Sequence, residues 1–131
     1  MENKNQMLND SELIENFVLC AKEQEKALLG GSTREYTRYF NKMKALDEVF
    51  RARGHTVQSM LLPFLNDHNE GVRYWSAKRL FIIDPIKSRA TMEQLAKDMW
   101  SPIGAEARST LSRIDSGQFN PDDLWAPTEQ G

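Results

Sequence analysis

Residues 61–83 read Leu-Leu-Pro-Phe-Leu-Asn-Asp-His-Asn-Glu-Gly-Val-Arg-Tyr-Trp-Ser-Ala-Lys-Arg-Leu-Phe-Ile-Ile, and they decide the fold. An apolar helix end stops at Leu65, a short polar turn follows, and a second helical pattern begins at Val72. Ser76 and Ala77 place small residues ahead of Leu80 on that second helix. A helix-turn-helix unit of this kind cannot bury its apolar face alone, so it must stack on neighbours.

The flanking sequence repeats the same grammar. Upstream, Leu13, Ile14, Phe17, Val18, Ala21 and Leu28 recur at three- and four-residue spacing, which predicts a first helix over 10–29. Asn9, Asp10 and Ser11 offer caps for it, and Gly30-Gly31 stops it. Ser32, with Glu35 three residues later, opens a second helix as a capping box, and Gly54 ends it. Tyr36, Phe40, Met43, Leu46 and Phe50 mark its inner face. A third helix is expected from about Thr56, bent by Pro63, and a fourth from after the 66–71 turn to about Ile83. Asp84-Pro85 and Ser101-Pro102 each pair an N-cap with proline at the first helical position. They open a fifth helix over 85–100 and a sixth that runs to Asp115, where Ser116-Gly117 breaks it. No segment alternates with a period of two. The expected fold is all-α, six helices in three antiparallel hairpins, with residues 1–10 a flexible N-terminus, 11–117 one helical domain and 118–131 an irregular tail.

Residues 61–83 resemble a HEAT repeat: the Leu-Leu-Pro-Phe-Leu helix end, Asp67 in the turn, Val72-Arg73, then Ser76-Ala77 and Leu80. The resemblance implies that Asp67 and Arg73 support the turn and the stacking of adjacent repeats. Helices five and six give a weaker echo, with Ala107-Arg108 in place of Val72-Arg73. The layout over roughly 11–121 is similar to a small bacterial family of uncharacterised HEAT-like domains. Its shared features are the Gly-Gly hairpin, Arg51-Ala52-Arg53-Gly54, and the closing Ile-Asp-Ser-Gly-Gln-Phe-Asn-Pro. This implies a short right-handed α-solenoid and no particular activity.

Composition narrows the function classes. The 131 residues are 40% hydrophobic and 27% charged, as in an ordinary globular domain, with a formal charge of −2. That balance gives no global attraction to a phosphate backbone. Charge is uneven: residues 31–60 hold six basic and three acidic residues, between acidic ends. Such a stretch is either a binding stripe or the solvated faces of amphipathic helices. A single cysteine, Cys20, excludes an intramolecular disulfide. No apolar run reaches the length of about 20 residues that spans a bilayer, and Met1 to Asp10 is too polar for a signal peptide. These features lead us to expect a soluble, cytoplasmic protein.

No catalytic motif is present. Cys20 falls on the apolar side of the first helix and reads as buried and inert. His68 lies in Asp67-His68-Asn69-Glu70, a turn without paired His or Cys at metal-binding spacing. Gly30-Gly31 follows a helix, so it is no phosphate loop. Carboxylates such as Asp122-Asp123 and Asp47/Glu48 read as solvated surface. The expectation is a protein that is not an enzyme and needs no cofactor or metal.

The fourth helix carries the candidate site. With Val72, Ser76, Ala77, Leu80 and Ile83 toward the core, Trp75, Lys78, Arg79 and Ile82 point to another side. Arg38 and Lys42 of the second helix, with Arg108, Ser112 and Arg113 of the sixth, extend that face if these helices stack side by side. Tryptophan beside arginine is the composition of a binding hot spot. Two readings stand for Trp75 and Arg79: contact with a partner, or packing beneath a neighbouring helix. The functional expectation is non-enzymatic protein binding, in its most concrete form a bacterial immunity protein or antitoxin that neutralises a partner toxin. Two alternatives come from other classes. The HEAT resemblance extends to relatives of alkylpurine DNA glycosylases, which implies DNA on a basic, Trp-containing face, against the acidic composition. The other is a structural or homodimeric subunit.

Overall fold

All but one of the α-helices begin where a side-chain oxygen takes up a backbone N–H that has no partner within the helix. The computed structural model describes residues 3–120, and these form six α-helices and two 3-10 helices, without a strand. Helix α1 spans Asp10–Gly30, α2 Thr33–Arg53, α3 His55–Gln58, α4 Glu70–Leu80, α5 Pro85–Ala96 and α6 Pro102–Asp115. The all-helical reading holds, with all six helices in their expected order.

The caps are largely those the sequence offers. Asp84 Oδ1 accepts from the Lys87 N–H at 3.0 Å, and Ser101 Oγ from Ile103 and Gly104, each helix following with proline. Ser32 accepts from the Glu35 N–H. The complete reciprocal capping box, however, forms at α1, where Asn9 accepts from Glu12 and Glu12 accepts from Asn9. Gly31 closes α1 at φ 72°, and its N–H bonds the Ala27 carbonyl.

Two elements are shorter than their periodicity implies. The third helix makes one α-turn and continues as a 3-10 helix over Ser59–Asn66. Pro63 in its middle has no N–H to donate and would clash with the carbonyl four residues back, so the tighter winding relieves both. Helix α5 stops at Ala96, which leaves Met99 and Trp100 in the connection to α6. Residues 3–9, read from sequence as a flexible start, carry a 3-10 turn over Lys4–Met7. Arg53 holds it, donating to the Leu8 and Gln6 carbonyls and pairing with Asp10 at 2.9 Å.

Helix α4 sits at the centre. It packs against α1, α5, α6 and the preceding 3-10 helix, and reaches α2 through side chains. The core around it is built from Leu13, Phe17, Met43, Phe50, Leu61 and Val72, all essentially inaccessible, with Phe17 and Phe50 edge to face at 5.2 Å. Close approach of α1 to α4 depends on Gly71, where a Cβ would lie 3.0 Å from the Ala21 carbonyl oxygen and from Glu25 Cβ. The turn before α4 is tied by Asp67, which accepts from the Asn69 N–H at 2.9 Å. Arg73, expected to share that task, forms no ion pair and leaves its Nε buried without a partner among the described residues.

Candidate functional site

Helices α2, α4 and α6 do share a groove, closed at one side by the C-terminal half of α1. It encloses about 390 Å³, a volume in the range of small ligand sites. Helix α1 brings Gln24, Glu25 and Leu28, and α2 brings Tyr36 and Phe40. Helix α4 supplies Tyr74, Trp75 and Lys78, and α6 supplies Ile103, Glu106, Ser109, Thr110 and Arg113. Tyr74 and Trp75 meet edge to face at 5.4 Å, and the Tyr74 hydroxyl bonds Thr110 Oγ1 at 2.8 Å, which fixes α4 against α6.

Of the nine residues singled out in the sequence, three line this groove: Trp75, Lys78 and Arg113. Trp75 is only 6% exposed, so it is a wall rather than a projecting anchor. Arg79 is not on a surface at all. Its guanidinium is 1% exposed and pairs at 2.7 Å with Asp47, itself 3% exposed. Asp47 therefore belongs to the interior and not to the solvated face expected for it, because it lies one turn after Met43 on the buried side of α2. Ile82 is half-buried in the turn after α4, and Ser112 is exposed away from the groove. Arg38 and Lys42 are exposed and gather over the Tyr39 ring at 5.5 and 5.1 Å, outside the groove; Arg38 also pairs with Glu35. Arg108 donates to the Ala96 and Asp98 carbonyls and so caps the end of α5.

Burial sets the electrostatics. Lys78 is held down to about 8, first by desolvation and then by the Arg113 cation, against the opposing carboxylates of Glu106 and Asp47. Its Nζ lies 4.9 Å from the Trp75 ring centre and 5.9 Å from that of Tyr74, so both rings face the cation. Burial also raises the Tyr74 and Tyr36 hydroxyls above their ordinary value. Gln24 is 3% exposed; its side chain bonds that of Tyr36, while its Oε1 has no hydrogen-bond partner among the described residues. Glu25 is fully committed, one oxygen accepting from Asn69 Nδ2 and the other from the Gly71 N–H. Elsewhere, Cys20 is buried, its Sγ 3.3 Å from the Tyr39 carbonyl, and desolvation pushes it up to about 11; that disfavours the reactive thiolate.

One residue was missed by the sequence reading. Trp100 is 96% exposed, next to exposed Met99. It borders a second hollow with Leu29, His68 and Pro102, and this hollow shares Glu25 and Ile103 with the groove. The signal was available: Trp100 directly precedes the Ser101-Pro102 helix start, so it belongs to a connection rather than to a buried helix face. No group of three His, Cys, Asp or Glu among the described residues could hold a metal, and no helix there is long and apolar enough to cross a membrane. Asp122, Asp123 and Trp125 lie outside the described residues.

Comparison with known proteins bears on the fold and the family. Residues 11–115 match the model of a family described as Domain of unknown function (DUF2019). The chain is also similar to the crystal structure of the protein RPA1889 from Rhodopseudomonas palustris CGA009. That similarity has a TM-score of 0.82 at 27% identity, over 90% of this chain and 98% of the other. Curated proteins offer no match.

Proposed function

We propose that this chain, which belongs to the DUF2019 family, is a non-enzymatic protein-binding module of the HEAT-repeat type. The observation that carries the reading is Trp100, almost wholly exposed beside a hollow that shares Glu25 and Ile103 with the aromatic groove. An exposed tryptophan next to Met99 leaves a large apolar area in water, and such areas mark contact surfaces. Tryptophan, tyrosine and arginine are also the residues that dominate binding energy at protein interfaces. The groove adds Tyr36, Tyr74 and Arg113 in a concave setting.

The repeat-type reading is supported by the position of α4, packed between α1 and α6 with Ser76 and Ala77 wholly buried at its contacts. In its most concrete form the module is an immunity protein or antitoxin, for which a compact binding surface without chemistry suffices. A DNA-binding role finds less support, since Arg79 is spent on Asp47 and carboxylates of Glu25 and Glu106 line the groove. The exposed Leu29, Met99 and Trp100 favour one other reading, a homodimer through this apolar patch.

Affinity capture with the native chain and a Trp100→Ala variant tests the proposal, with the solution mass measured alongside. Because Trp100 is exposed, the variant should keep its helical signal, while retention of the partner should fall by about tenfold or more, the effect of losing a hot-spot side chain. A dimer abolished by Trp100→Ala would assign the patch to self-association. Unchanged retention by the variant would remove Trp100 as the basis of the reading. The immunity version fails separately if the captured partner is not toxic to cells lacking this protein.

A further inference from the structure

The backbone leaves α6 by turning back toward α4. Gly117, at φ 77°, closes α6 in the left-handed region, and the Gln118 N–H bonds the Arg113 carbonyl at 2.7 Å. A cap of this kind reverses the chain. Phe119 accordingly meets Phe81 edge to face at 5.5 Å, just past the end of α4. Trp75, Lys78 and Phe81 follow one another at three-residue spacing, so they lie along one side of that helix. Trp75 and Lys78 line the groove, which puts Phe119 one turn beyond it, at its mouth.

After Asn120 the sequence continues Pro121-Asp122-Asp123-Leu124-Trp125-Ala126-Pro127-Thr128-Glu129-Gln130-Gly131. Trp125 stands six residues after Phe119, a reach of about 20 Å for an extended chain. From Phe81 back to Trp75 is about 9 Å along the helix axis. The length is enough to carry an indole to the aromatic part of the groove, where Phe40, Tyr74 and Trp75 stand. Rings of this kind gain from one another beyond the area they bury. A cleft of about 390 Å³ also has room for Leu124 beside the indole. The order of chemistry along the groove matches the order of the sequence. Lys78 and Arg113 are at the mouth, whereas Glu25, bonded to the Gly71 N–H, and Glu106 are at the far end. Asp122 and Asp123 come first and suit the entrance; the apolar pair follows.

We propose that the chain's own C-terminal segment is the occupant of this groove, with Trp125 seated against Phe40, Tyr74 and Trp75. The groove is then closed from within, and a partner that uses it must first displace the segment. The inference is independent of the protein-binding reading, since the Trp100 patch lies outside the groove and stays open with the segment in place.

Nuclear Overhauser contacts in the full-length protein test this, with the indole signals assigned through Trp100→Phe and Trp125→Phe. The Trp125 indole should show contacts to the rings of Phe40, Tyr74 or Trp75. Its N–H should exchange with water about tenfold more slowly than that of Trp100, which serves as the exposed reference. Trp125→Ala should move the amide signals of Thr110 and Arg113 and leave that of Phe64, on a separate hollow with Val18, in place. A Trp125 N–H that exchanges as fast as that of Trp100, without contacts to the groove rings, would overturn the proposal. Contacts to Val18 and Phe64 instead would overturn the choice of groove. Contacts that fade on dilution, together with a falling solution mass, would give the segment to a second copy and overturn its seating within one chain. None of these outcomes alters retention of a partner through Trp100, so the two readings fail separately.

Discussion

Asp47 and Arg79 stand 32 residues apart in the chain and meet at 2.7 Å with almost no exposure. Two charges removed from water gain little net stability from each other, yet removing one leaves the other uncompensated. Asp47→Ala should therefore destabilise the protein by about 3–5 kcal/mol, whereas Asp47→Leu combined with Arg79→Met should come close to the native value. Urea unfolding of the three proteins checks this. A loss below about 1 kcal/mol for Asp47→Ala, the level of an exposed pair, would mean that the pair is not structural. The partnership explains why Arg79 was misread. Its helix alone shows only that it lies off the Val72–Leu80 stripe, and what it meets there is contributed by another helix. Asp47, read from sequence as solvated surface, was misread too, although its position held the clearer signal. Its place one turn after Met43 and three residues before Phe50 puts a carboxylate on an apolar face, and a carboxylate there needs a partner.

At the level of elements, the starts were legible and two of the ends were not. Caps are local chemistry, so Asn9, Ser32, Asp84 and Ser101 could be read from short sequence windows, and all four bind backbone N–H groups. The early stop of α5 is a tertiary effect. Gly104 of α6 lies so close to the α5 exit that a Cβ would sit 2.2 Å from the Asp98 carbonyl oxygen and 3.0 Å from that of Leu95. Gly104→Ala forces those backbones apart and should cost about 1–3 kcal/mol, the usual range for overpacking. Gly71→Ala meets atoms at 3.0 Å and should cost less. Gly30 has open space and a helical backbone, so Gly30→Ala should stabilise by about 0.4–1 kcal/mol. Thermal unfolding followed by circular dichroism should rank the midpoints Gly30→Ala, native, Gly71→Ala, Gly104→Ala from high to low. A Gly104→Ala midpoint at or above the native one would refute the close packing of α6 on the α5 exit.

For the whole molecule, the sequence anticipated that α2, α4 and α6 share a face, but not that this face is a groove with Trp75 as its wall. Curvature depends on how far apart the helices stand, and side-chain pattern alone does not report that distance. The groove has a global consequence through Lys78. Burial and Arg113 bring its folded value down to about 8 from an ordinary 10.5. Between these values the unfolded chain binds the proton and the folded one does not, so stability rises with pH across this window. Below about pH 8 both states are charged and the folded state carries the full cost of a buried ammonium, on the order of 3 kcal/mol. Cys20 acts in the opposite sense. Its folded value of about 11 lies above an ordinary 9.0, so its contribution falls as pH rises between them, and the raised tyrosines follow in the same direction. Lys78→Met isolates the lysine, because the opposing groups are present in both proteins and largely cancel in the difference. The variant should exceed the native protein in stability at pH 7, and its advantage should shrink steadily from pH 8 to about 10.5. Denaturant unfolding at half-unit steps of pH measures this directly. An advantage that stays constant across the window would mean that Lys78 does not change its charge there, and that the groove holds its cation at no cost.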